Sequence, residues 1–144
     1  FIKSLMSREP GSDSWAKIRR EMGDTMNEHM AVFRNEEGMQ TALKAILQLK
    51  EQFGKLAVKD RSQVFNTSLL FTLELGFMLD LAETICVSGL ARKESRGAHY
   101  RTDMPERDDE NWLRHILVHV SPEGPSIDYL PVVITKWQPQ ARSY

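Results

Sequence analysis

The chain has 144 residues, 41% of them hydrophobic and 27% charged, which suits one globular domain and excludes a disordered or fibrous segment. Nineteen basic residues against twenty acidic ones leave a net charge of −1, so no global pull toward nucleic acid or anionic lipid follows. The longest stretch without a charged side chain, Ser62–Leu73, falls far short of the roughly 18 apolar residues of a membrane span, so direct membrane insertion is not expected.

The chain opens on Phe1, and Phe1–Met6 has neither signal-peptide nor transit-peptide character. It therefore reads as a piece of a longer protein, with residues 1–13 as a linker. The first helical period runs from Trp15 to about Phe33 on Trp15, Ile18, Met22, Met26, Met30 and Phe33. Pro10 and Gly11 break the chain before it, and Ser12, Asp13 and Ser14 offer N-caps. A second helix is expected from Asn35, with Glu36 and Glu37 in its first turn, where carboxylates suit the helix dipole. Its stripe is Met39, Leu43, Ile46, Leu49 and Phe53, and Gly54 supplies the stop.

A third, longer helix is expected from Asn66 or Thr67 to about Ser95. Leu69, Leu70, Leu73, Phe77, Leu81, Ile85 and Leu90 give it a wide apolar face, with Leu73, Phe77 and Leu81 expected between the other two helices. Gly97 sits where a C′ glycine belongs. Residues 14–97 thus predict a three-helix bundle. Beyond it, His99–Glu110 is polar and aperiodic, an irregular loop or a single turn. Trp112–Val120 and Ile127–Thr135, bracketing Ser121–Pro125, carry the composition of a C-terminal β-hairpin, with Pro131 marking an edge strand. The fold class is mainly α, and residues 98–144 form a loop and hairpin tail packed on the bundle within one domain.

Little in this pattern can carry covalent or metal chemistry. Cys86, the single cysteine, excludes an internal disulfide and lies mid-helix between Ile85 and Val87, the setting of a buried structural thiol. His115 and His119 have helical metal spacing but fall in a strand, where that spacing separates them by roughly 13 Å. Asp103, Glu106, Asp108, Asp109 and Glu110 lack the alternation and turn glycine of a calcium loop. Neither a GxGxxG nor a Walker loop is present. The segment that stands out is Ala91–Arg114, with six bases and six acids. That balance argues against a nucleic-acid patch. Forked guanidinium groups at such density suit carboxylate pairing across an interface, and composition alone fits a solvated helix end equally.

In this segment Arg92-Lys-Glu-Ser-Arg-Gly-Ala-His99, Arg101, Asp103, Arg107-Asp-Asp109, Asn111-Trp112, His115 and Leu117 resemble the C-terminal domain of the succinate dehydrogenase/fumarate reductase flavoprotein subunit. Val32–Asn35, Phe65–Thr67, Glu74–Gly76, Leu79–Glu83, Asp128-Tyr129, Pro131-Val132 and Arg142-Ser-Tyr144 agree in order, so the resemblance spans about residues 28–144. The shorter ESRG element is shared with L-aspartate oxidase, a related flavoprotein without an iron–sulfur partner. The hairpin and the Arg-Ser-Tyr ending favour the respiratory enzyme over that alternative and over a stand-alone helical interaction module.

The resemblance implies a full-length oxidoreductase of electron transport and the tricarboxylic acid cycle that interconverts succinate and fumarate through FAD. An upstream FAD-binding domain would hold the cofactor, a capping domain the substrate-binding residues, and electrons would pass to an iron–sulfur subunit. This fragment would then hold no catalytic, cofactor or metal residue of its own and be inactive alone. Its place would be peripheral, on the cytoplasmic face of the inner membrane in a bacterium or the matrix side in a mitochondrion. Arg92, Glu94, Arg96, His99, Arg101, Arg107, Asp108 and Asp109 are the candidate interdomain or subunit-interface residues.

Overall fold

The computed structural model describes residues 1–9, 11 and 13–140; Pro10, Ser12 and the Arg142–Tyr144 ending lie outside the described residues. The elements run α1 (Ile2–Ser7), α2 (Trp15–His29), β1 (Phe33–Arg34), α3 (Glu36–Lys55), α4 (Thr67–Ala91), β2 (Tyr100–Arg101), α5 (Asp109–Trp112), β3 (Arg114–His119) and β4 (Ser126–Pro131). The three long helices begin on side-chain caps: Ser14 accepts from Lys17 N, Asn35 from Gly38 N, and Asn66 from Leu69 N. α2, α3 and α4 form the bundle, around Ile18, Met22, Met39, Ala42, Ile46, Leu49, Leu75, Leu79, Ala82 and Cys86. The segment expected to be a linker contains α1, whose Leu5 is fully buried and whose carbonyl accepts from Val58 N.

Five sequence expectations need correction, the first being that Gly54, read as the stop of the second helix, lies inside α3, which ends at Lys55. The first helix stops at His29, and Phe33 leaves its stripe to pair, in β1, parallel with β2 in the register Phe33–Tyr100 and Arg34–Arg101. The third ends at Ala91, because Arg92 turns extended and aims the chain back into the fold. Gly97 (φ +60°) serves a tight turn in which Arg96 and His99 exchange both backbone hydrogen bonds. On α4 the buried set is Thr72, Leu75, Leu79, Ala82, Glu83, Cys86 and Gly89, whereas Phe77 and Leu81 are 69% and 63% exposed. An all-round apolar helix has no periodicity by which sequence could choose a face. The hairpin forms as expected, antiparallel, with Pro131 as the last residue of β4 opposite Arg114.

Candidate functional site

The Arg92–Asp109 segment folds around a carboxylate. Extended Arg92 carries Glu94 inward to complete burial. Glu94 Oε1 accepts from Arg92 Nη1 at 2.5 Å and Arg96 Nε at 2.7 Å, and Oε2 from Arg96 Nη2 at 3.0 Å and the Asp108 amide at 2.7 Å. Burial alone would raise the Glu94 pKa, but donors from Arg96, Asp108 and Arg92 outweigh it and hold the carboxyl below its ordinary value. Arg96 Nη2 continues to Asp109 Oδ1 at 2.6 Å, and Arg107 reaches the other Asp109 oxygen at 2.8 Å. Asp108 caps α5 by accepting from Asn111 N.

A second centre is Arg101, the largest fully buried side chain. Its Nε and Nη2 donate to Asp103 as a fork, both at 2.7 Å; Nη2 also reaches Glu36 Oε2 at 2.8 Å, and Nη1 the Arg92 carbonyl at 3.2 Å. The Arg101 hydrogen bonds hold Asp103 far below the usual carboxylate range. Asp103 also accepts from the Glu36 amide at the start of α3, where the helix dipole favours an anion. Lys93 adds a 3.0 Å pair to Glu36 and is the main cause of that carboxyl's lowered pKa. Ser95 Oγ accepts from the Arg101 amide and donates to the Met104 carbonyl.

Of the predicted residues, Arg92, Glu94, Arg96, Arg107, Asp108 and Asp109 gather in the first centre and Arg101 in the second. His99 stands apart, beside Arg34. Arg92, Arg96 and Arg101 are each paired with a carboxylate of this chain. Glu36, Ser95 and Asp103 were missed as members. Asp103 lies two residues from Arg101, within the turn that Met104 N closes on the Arg101 carbonyl, whereas Glu36 lies 65 residues away in sequence.

The arrangement is a clamp, tying the exit of α4 to the entry of α3. Its carboxylates are kept ionised by guanidinium groups, which suits structure and not proton transfer. The Cys86 thiol is buried and pushed up to about 11 by desolvation and then by Glu83. Among the described residues, no cluster of His, Cys, Asp or Glu is placed to hold a metal, and no helix is long and apolar enough to cross a membrane.

A family model described as "Fumarate reductase flavoprotein C-term" matches residues 19–144. The chain belongs to this family. It is 47% identical over 140 residues to a fumarate reductase flavoprotein subunit of Haemophilus influenzae, covering 96% of this chain and 23% of that protein. The corresponding subunit of Proteus vulgaris is 48% identical over 146 residues, covering 99% and 24%. Among solved structures, an Escherichia coli quinol fumarate reductase superposes with a TM-score of 0.90 at 42% identity, over 97% of this chain and 24% of that one. Adenylylsulfate reductase of Archaeoglobus fulgidus shares the fold at a TM-score of 0.77 and 28% identity, over 94% and 22%. The chain thus spans about a quarter of the length of the relatives it matches, as the C-terminal domain of such a subunit.

Proposed function

We propose that this chain is the docking domain at the C-terminus of a flavoprotein subunit that, full length, interconverts succinate and fumarate through FAD and passes electrons to an iron–sulfur subunit. The observation that carries the reading is the family match over residues 19–144, supported by relatives identical to this chain at nearly half of the aligned positions. The described residues do not fit FAD. Arg92, Arg96 and Arg101 are already paired with carboxylates, and the sequence lacks a glycine-rich phosphate loop. We therefore assign the cofactor and substrate groups to the preceding part of the subunit. The clamp gives this domain a fixed outline on which that part and the iron–sulfur subunit can seat, with Arg107 and Asp109, a third exposed, as the reachable rim. Association with the membrane would be peripheral, through partner subunits.

The test uses the full-length subunit co-expressed with its partners. Deleting residues 19–144 should abolish co-purification of the iron–sulfur subunit while the intact form contains FAD and reduces fumarate with a reduced dye. An intact, flavin-loaded subunit that turns over neither succinate nor fumarate would refute the reading.

A further inference from the structure

Helix α4 buries one face in the bundle, yet its outer face is equally apolar. Phe77, Leu81 and Ile85 are 69%, 63% and 48% exposed and follow one another at four-residue steps, so they form a single row. Scattered exposed hydrophobic side chains need no explanation, whereas a contiguous row marks a surface that something covers.

The row runs into a cleft. Ile85 is also one wall of a cleft of about 310 Å³ whose other walls include Arg34, Ser88, Arg92, His99 and Ile116. Around it, Arg92, Arg96, Arg101 and Arg107 each pair with a carboxylate. Arg34 has no such partner among the described residues. Its Nε donates to the Ala31 carbonyl at 2.7 Å, and its Nη1 lies 3.4 Å from His99 Nδ1. Burial lowers the Arg34 pKa, the signature of a desolvated cation without a counter-ion. His99 cannot compensate it in either protonation state, and desolvation and then Arg34 push its pKa to about 4, which keeps the ring neutral. Its Nε2 is buried without a hydrogen-bond partner. An uncompensated, half-buried guanidinium is costly, and a carboxylate is the side-chain group that matches its fork.

We propose that the Phe77–Leu81–Ile85 row and the Arg34–His99 cleft are one docking surface for the preceding part of the subunit, whose covering face is apolar over the row and delivers an aspartate or glutamate into the cleft to pair with Arg34. The inference rests on the reading of this chain as one domain of a longer flavoprotein. Two arguments favour an occupant in the same polypeptide over another subunit. The chain spans only 23–24% of its relatives, so a large tethered surface is available at high effective concentration. An apolar row left open until a partner arrived would also invite aggregation of the free subunit.

The test uses the full-length flavoprotein subunit purified without partners, carrying Arg34→Lys and treated with a zero-length carbodiimide. Peptide mass mapping should join position 34 to an acidic peptide outside these 144 residues. Adding Leu81→Asp should cut that yield several-fold, because the covering face is lifted from the row. The Lys93–Glu36 pair, 3.0 Å apart, supplies the positive control in the same digest. No cross-link at position 34 where the control forms, or one only to an acid of this domain, overturns the proposal. So does a cross-link that needs the iron–sulfur subunit, which places the occupant in another chain. In the unmodified subunit, protection of Arg34 from phenylglyoxal only when inorganic phosphate or acetate is added makes the cleft a free-anion site and equally overturns it. Fumarate reduction in the same samples reads the underlying function independently, so an active subunit without the cross-link defeats this inference alone.

Discussion

Glu94 and Arg101 are opposite charges with no solvent exposure, and each is tolerated only because its polar atoms are met from several directions. Removing the acid should therefore cost more than any single surface pair is worth: Glu94→Gln is expected to lower stability by about 3–5 kcal/mol, since Arg92 and Arg96 lose their shared counter-ion. Arg96→Ala should cost less, about 1–3 kcal/mol, because Glu94 keeps Arg92 and the Asp108 amide. Denaturant unfolding of both variants checks the order; a neutral Glu94→Gln would show that the clamp does not stabilise the fold. His99 gives a second prediction, in pH. Its folded pKa near 4 lies below the ordinary 6.5, so between those values the unfolded chain takes up a proton that the fold refuses. Stability should fall as pH drops from about 6.5 to about 4, and His99→Gln should flatten that limb. Glu94, Glu36 and Asp103, depressed from 4.5, 4.5 and 3.8, act lower: their contribution is present above those values and is lost as pH falls through the folded pKa values. An unchanged slope between 6.5 and 4 in the variant would mean that His99 ionises freely in the fold.

The helices show what sequence can and cannot specify at the scale of an element. Asn35 and Asn66 were readable as caps because an Asn side chain before an apolar period has a local geometric purpose. Pro131 was readable as an edge residue because it lacks an amide donor. The face of α4 was not readable, since apolar residues line both sides and only the neighbours decide which side is covered. Phe33 looked like the end of a helical stripe, and Arg34 was not read as a strand residue, for a related reason. Their partners in β2 lie 67 residues away, and no local pattern announces a two-residue parallel pair. The candidate site was legible as a segment but not as a network, because Glu36 joins it only through the tertiary fold. The correction on α4 is testable. Phe77→Ala should change the isolated chain's stability by no more than about 0.5 kcal/mol, while Leu79→Ala should cost about 2–5 kcal/mol. Equal losses would return Phe77 to the core.

For the whole molecule, the clamp closes a circuit that the bundle alone leaves open. α3 and α4 are consecutive and already packed, and the chain entering α3 is joined to the chain leaving α4 by β1–β2, Arg101, Lys93 and Asp103. Four amides report on that closure: Tyr100 N to the Val32 carbonyl, Thr102 N to the Arg34 carbonyl, Glu36 N to Asp103, and Asp108 N to Glu94. They sit on three separate stretches, at Glu36, Tyr100–Thr102 and Asp108, which the same few carboxylates and guanidinium groups hold together. Elements that share partners in this way open together. In native-state hydrogen exchange the four should therefore lose protection as one unit, below the global unfolding free energy. Arg101→Ala should deprotect Tyr100, Thr102 and Glu36 by a common factor of tenfold or more. The Ile116–Tyr129 and Val118–Ile127 ladder of the hairpin lies outside the circuit and should hold its rates. If Tyr100 and Thr102 stay protected in that variant while Glu36 alone exchanges, the strand pair stands without the arginine. The clamp would then be a set of local contacts, not a cooperative unit.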